Sequence, residues 1–194
     1  MLSELFSYLA KEPNTTNALA AVASAIAATF AVVVSGIAVC VSYLTLKHQQ
    51  RHNVLSVRPI PIVTVADYED AIRVKVRNHG SGPMLVKRVQ VVDGTSVKES
   101  LVEWMPDLPD NILWGNFVGP VSDRSLLPGS EMVLLELNGD HEDKAFRSVR
   151  DTVRKALAPL TVVVTYTDIY ESSLDPYMKD LTWFGRHEVG RYPE

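Results

Sequence analysis

The chain has 194 residues, 46% hydrophobic and 22% charged, with 11 Pro and 10 Gly; this balance excludes a collagenous, low-complexity or wholly disordered protein. Lys and Arg number 19 against 23 Asp and Glu, a formal charge of −4, which speaks against a strongly basic duplex-DNA binder. The single cysteine excludes an intrachain disulfide framework and a Cys-based zinc cage.

Residues 1–17 place Leu2, Leu5, Phe6 and Leu9 on one helical face, the pattern of a short interfacial helix or an extracytoplasmic tail. From Ala18 to Leu46, 29 residues carry no charge. A bilayer core of about 30 Å needs about 20 helical residues, so 18–46 is predicted to be a transmembrane helix that tilts or protrudes at one end. A cleaved signal peptide fits poorly, because Glu4, Lys11 and Glu12 precede the run instead of a basic cluster. The other flank carries Lys47, Arg51 and Arg58. The positive-inside bias therefore puts the N-terminus outside and the C-terminal domain in the cytoplasm. The only thiol, Cys40, then lies within the span.

Within the run, Ser24, Ala28, Ala31, Ser35, Ala38, Ser42 and Thr45 recur at spacings of three and four. Leu19, Val22, Ile26, Phe30, Val33, Ile37, Cys40 and Leu44 form a bulkier stripe on another face. Lipid gives helices no hydrophobic reason to associate, so close packing and interhelical hydrogen bonds decide. A seven-residue repeat of small residues predicts a left-handed bundle of parallel copies, and its serines could line a narrow polar axis.

Residues 47–57 read as a connector, and 58–194 as a cytoplasmic β domain. Strands are expected at 57–66, with Pro59 and Pro61 suited to an edge, and at 71–78, where Ile72, Val74 and Val76 alternate with Arg73, Lys75 and Arg77. After the turn cluster 78–83 comes a strand at 84–94, read as the hairpin partner of 71–78. Residues 95–104 are expected to pair with it across Asp93-Gly94. Further strands are predicted at 131–138, 160–170 and 178–185. Residues 141–157 have Phe146, Val149, Val153 and Leu157 at helical spacing, acids at the start and Arg154 and Lys155 at the end. The fold class is thus a membrane protein with one N-terminal transmembrane α-helix and a mainly antiparallel β-sandwich carrying one helical insertion.

Asn78, Gly80, Gly82 and Pro83 form an Asn-x-Gly-x-Gly-Pro turn, and Tyr166, Asp168, Ile169 and Tyr170 end a late strand. With the N-terminal helix, this plan resembles small single-pass bacterial membrane proteins bearing an immunoglobulin-like sandwich. Some of these are similar to membrane effectors of anti-phage systems, including the Hailong type, in which a nucleotide-derived ligand controls a membrane oligomer. The resemblance implies a fold and a bacterial inner-membrane location; no binding residue is carried over from it.

No phosphate loop, nucleophile elbow or zinc helix is present. Asp140-His141-Glu142-Asp143 reads as helix capping, because consecutive residues at a helix start seldom converge on a metal. No catalytic residue, metal or cofactor is therefore expected. The candidate ligand residues are cationic: Arg73, Lys75 and Arg77 on one strand face, with Lys87 and Arg88 on the strand read as its partner. Such a stripe can follow phosphates, with Trp104, Trp114 or Trp183 supplying a stacking surface for a nucleotide or oligonucleotide. Arg147, Arg150 and Arg154 form a second basic run, for which Asp143 and Asp151 are available as partners. Two functions are expected from these residues: a non-enzymatic homo-oligomeric membrane effector gated by an anionic ligand, or a passive anchor docking a cytosolic protein.

Overall fold

The structure is a computed structural model that describes residues 13–187; the predicted interfacial helix at 2–9 lies outside them. It divides into two compact units, Met1–Asn53 and Val54–Glu194.

The first element, α1 (Pro13–Ser56), has 44 residues, about 66 Å at about 1.5 Å per residue. It is long and apolar enough to cross a membrane, and Leu19, Ile26, Phe30, Val33 and Ile37 are all exposed along it. Its N-terminus follows the usual chemistry, with Pro13 in the first turn where no intrahelical donor is missed. The stretch read as a connector is helical as far as Ser56, because Lys47, Gln49, Gln50 and Arg51 are good helix formers and no Gly or Pro occurs from Lys47 to Arg58.

Among the described residues the second unit holds nine strands: β1 (Pro61–Asp67), β2 (Ala71–Asn78), β3 (Met84–Asp93), β4 (Ser96–Lys98), β5 (Trp114–Phe117), β6 (Ser122–Leu126), β7 (Glu131–Asn138), β8 (Thr161–Thr167) and β9 (Tyr177–Asp180). One sheet runs β1-β2-β7-β5 and the other β4-β3-β8-β9, with β6 pairing the far end of β3. All these pairings are antiparallel. With β1, β2, β3, β5, β7, β8 and β9 taken as A to G, and β4 as an added C′, the order is A-B-E-D and C′-C-F-G, that of immunoglobulin-type sheets. The inward aliphatics of both sheets, among them Ile72, Val74 and Leu135 from the first and Val86, Val91, Val162 and Val164 from the second, belong to one hydrophobic cluster.

The chain passes from one sheet to the other between β2 and β3, so these strands are not a hairpin. Asp93 and Ser96 do close the expected β3–β4 hairpin, with Gly94 at φ +54°. Strands β5 and β6 were not expected; their side chains are mostly exposed, and backbone pairing alone marks them.

Helix α2 (Lys144–Leu157) sits between β7 and β8 and buries Phe146, Val153 and Leu157. Asp143 caps it by accepting from the Ala145 amide at 2.8 Å, and Asp140 accepts from the Glu142 amide at 2.9 Å. Asp140 and Asp143 of the acidic run thus accept from backbone donors, the capping role their sequence position implied. Gly139 lies directly against the Phe146 ring, which occupies the place a Cβ would need. Gly139→Ala is expected to displace Phe146 and cost about 1–3 kcal/mol, read as a lower urea midpoint with an unchanged slope.

Candidate functional site

The small-residue positions occupy a single uninterrupted helix. At 3.6 residues per turn, Ser24, Ala28, Ala31, Ser35, Ala38, Ser42 and Thr45 stay on one face, drifting slowly round it, and all are exposed. Thr45 donates its hydroxyl to the Val41 carbonyl at 2.8 Å, as Thr29 does to Ala25. These bonds satisfy the two threonines within their own helix. Among the described residues Ser24, Ser35 and Ser42 have no such bond, which leaves their donors available to a neighbouring helix.

The predicted cationic stripe is divided between two sheets. Arg73, Lys75 and Arg77 project from the outer face of β2, as alternation requires. Lys87 and Arg88 lie on β3 in the other sheet, which corrects their assignment to a hairpin partner. Lys87 is the extra residue where the β3–β8 register shifts between Val86 and Arg88. It bonds Asp123 at 2.9 Å, and that carboxylate raises the Lys87 pKa. Arg88 is exposed.

On the β1–β2–β7 face, Arg73 contacts Glu136 at 2.6 Å and Lys75 contacts Glu131 at 2.6 Å. The Lys75 hydrogen bond holds the Glu131 carboxyl below its ordinary range against a smaller opposing effect of burial, with added attraction from Arg77 and Arg73. Arg77 is exposed and has no ion pair among the described residues. Thr64, Ala66, Tyr68, Arg73, Lys75 and Glu131 line a groove of about 230 Å³ on this face. Exposed ion pairs contribute about 0–1 kcal/mol, so an incoming anion would displace Glu131 at small cost. Tyr68, 58% exposed, is the aromatic at this groove; as a turn residue it had no periodic signal. The three tryptophans do not line the groove. Trp104 lies under Lys98, 4.5 Å from the ring centre, and Trp183 under Arg186 at 3.5 Å.

Two clusters that sequence reading did not assemble organise the unit. The Asp67 side chain, fully buried, accepts from Arg154 Nη2 at 2.6 Å and from Arg186 Nη2 at 2.6 Å. Burial alone would raise its pKa, but the hydrogen bonds and charges of the two guanidiniums prevail and lower it. Arg150 donates to the Tyr68 carbonyl at 2.9 Å and also to that of Glu69. Arg150 and Arg154 of the basic run therefore fix the end of β1 and the turn after it, and Arg154 also pairs with Asp151 at 2.6 Å.

The second cluster surrounds Asn78, which is fully buried. Its Nδ2 donates to the carbonyls of Gly82 (2.8 Å) and Leu126 (3.1 Å), and its Oδ1 accepts from the amides of Gly80 (2.9 Å) and Ile60 (3.3 Å). Gly80 and Gly82 lie so close to the backbone of Arg58–Ile60 and Val57 that no Cβ fits at either. The Ser81 hydroxyl donates to the Ser56 carbonyl. The Asn-x-Gly-x-Gly turn thus holds the segment that leads from α1 into β1. Asp168 of the second motif accepts from the amides of Tyr170 and Ser172, both at 2.9 Å. Burial opposes its ionisation, yet these bonds, with the nearby charge of Arg58, lower its pKa.

Comparison with protein-family models, curated proteins and solved structures finds no match.

Proposed function

We propose that the chain is a non-enzymatic, single-pass membrane protein that homo-oligomerises through α1, with the N-terminus outside and the β domain in the cytoplasm. The observation that carries this reading is the uncharged stretch 18–46 of α1 together with a small-residue face whose three serine hydroxyls have no acceptor among the described residues. Close approach of parallel copies would bury that face and provide those acceptors. A bundle of this kind has closed and open packings, and a ligand preferring one of them would gate a pore. The groove lined by Tyr68, Arg73 and Lys75 is the place for an anionic ligand such as a nucleotide. Bacterial inner-membrane effectors of anti-phage defence, some of which share this overall plan, are the class to test first.

A passive anchor that docks a cytosolic protein is the second reading. It is favoured by the pairing of Arg73 and Lys75 with Glu136 and Glu131, which leaves little uncompensated positive charge for a small anion.

Ser35→Leu tests the first reading. A leucine at the middle of the packed face should cost about 1–3 kcal/mol per helix, which is a tenfold or greater loss of crosslinked oligomer in liposomes at a fixed protein-to-lipid ratio. Dye release from the same vesicles should fall in parallel. Unchanged crosslinking and release would remove this face from the assembly. Assembly without any release would favour the anchor.

A further inference from the structure

Helix α1 does not stop where its apolar stretch does. It continues through Lys47, His48, Arg51 and His52 to Ser56. At 100° per residue these four side chains fall within a sector of about 140°. Gln49, Gln50 and Asn53 take the remainder of the circumference, so the basic side chains are gathered on one side. Tyr43 stands one turn earlier on the same side, in line with Lys47 and Arg51, and is 66% exposed. No Asp or Glu occurs anywhere from Pro13 to Ala66. Among the described residues, the side chains of Lys47, His48, Arg51 and His52 have no hydrogen bond or ion pair, and all four are exposed.

Depth matters as much as charge. The hydrocarbon core is about 30 Å thick and the bilayer with its headgroups about 40–45 Å, which leaves about 5–8 Å of headgroup layer on each side. With Leu46 at the hydrocarbon boundary, residues 47–52 rise about 1.5–9 Å beyond it along the helix, the depth of that layer. An aromatic ring at the boundary and two permanent cations one turn apart beyond it match the two chemical zones, ring at the carbonyl level and ammonium or guanidinium at the phosphates. Because the segment is helical, the cations are presented together on one side.

We infer that Tyr43, Lys47, His48, Arg51 and His52 form a binding surface for the phosphate-bearing headgroups of anionic phospholipids in the cytoplasmic leaflet. This site rests on the proposal that α1 spans the membrane. It is separate from the groove on β1–β2–β7 and does not depend on oligomerisation. Juxtamembrane cations of this kind each contribute attraction that decays within a Debye length, so the preference is salt-sensitive.

The test is electron paramagnetic resonance of spin-labelled lipid in vesicles containing the full chain. Spin-labelled phosphatidylglycerol is compared with spin-labelled phosphatidylcholine in a phosphatidylcholine host. The protein should immobilise a fraction of both lipids and favour the anionic one several-fold at low salt. The double variant Lys47→Gln with Arg51→Gln should bring that ratio close to one, as should 0.5 M salt. Lys144→Gln with Arg147→Gln, an equal loss of charge on exposed positions of α2, should leave it unchanged. A ratio near one in the wild type, with both lipids immobilised, overturns the lipid site while leaving the span intact. No immobilised fraction of either lipid overturns the span and the site with it. If inorganic phosphate at constant ionic strength abolishes the preference, the surface takes soluble phosphate instead and the lipid assignment fails.

Discussion

Replacing Asn78 with Ala is expected to remove about 3–5 kcal/mol of stability from the β domain. One amide side chain here answers four backbone groups: two carbonyls, on Gly82 and Leu126, and two amides, on Gly80 and Ile60. Each buried backbone group left without a partner costs about 1–3 kcal/mol, and water can recover only part of that. The segment 57–60 is the one that suffers most, because Gly80 and Gly82 permit its close approach and Asn78 holds it there. Asn78→Asp separates the contributions. It keeps the acceptor side but turns oxygen toward the Gly82 and Leu126 carbonyls, so at neutral pH it should be at least as damaging as Ala. The measurement is urea unfolding of the full chain in detergent, followed by tryptophan emission. A loss below about 1 kcal/mol in both variants would show that the four contacts are replaceable and that the turn is held by its glycines alone.

The legibility of this fold follows the physics of each element. Strands β2 and β7 were readable to the residue, because each is a central strand whose inner aliphatics alternate with outer charges or half-buried positions, an alternation that β7 breaks only at Leu134-Leu135, where its register with β2 shifts. The β3–β4 turn was readable because Asp-Gly favours that geometry. Trp114–Phe117 and Ser122–Leu126 were not, since their residues do not alternate and their pairing uses backbone groups that any sequence has. The turn after Asn78 was visible as a turn, but a cluster of Gly, Ser and Pro fits a hairpin and a crossing between sheets equally well. That ambiguity is why Lys87 and Arg88 were grouped with the β2 cations. Of the expected ligand face, Arg73 and Lys75 do meet at one groove, while Tyr68 beside them had no pattern to reveal it. Asp67 was missed for another reason. Its partners lie 87 and 119 residues away, and a charge pair leaves no local periodicity, so Arg154 was matched with the nearby acids alone.

That buried pair of contacts has the second large expected effect. Asp67→Asn should destabilise the domain by about 2–4 kcal/mol at pH 7, because it removes the charge that two guanidiniums share in a place closed to water. Arg154 is 14% exposed and retains Asp151, and Arg186 is 31% exposed and retains the Trp183 ring, which moderates the loss. The pH dependence has a definite sign. The folded-state pKa of Asp67 lies below that of an unfolded aspartate, about 3.9, so its contribution is complete above that value and is lost as pH falls from there through the folded pKa. Asp168, lowered by the Ser172 and Tyr170 amides, acts in the same direction and window. Wild-type stability should therefore decline steeply below about pH 4, and Asp67→Asn should start lower and decline less. If the wild type and Asp67→Asn instead run parallel from pH 7 to pH 3, Asp67 contributes no charge-dependent stability. The triple change Asp67→Leu, Arg154→Met and Arg186→Leu gives the complementary measurement. Removing all three charges leaves no buried charge uncompensated, since Asp151, the other partner of Arg154, is 61% exposed, so this protein should unfold at higher urea than Asp67→Asn alone. A triple variant weaker than the single one would mean that the three side chains act mainly by filling space between β1, α2 and the turn at Thr182–His187.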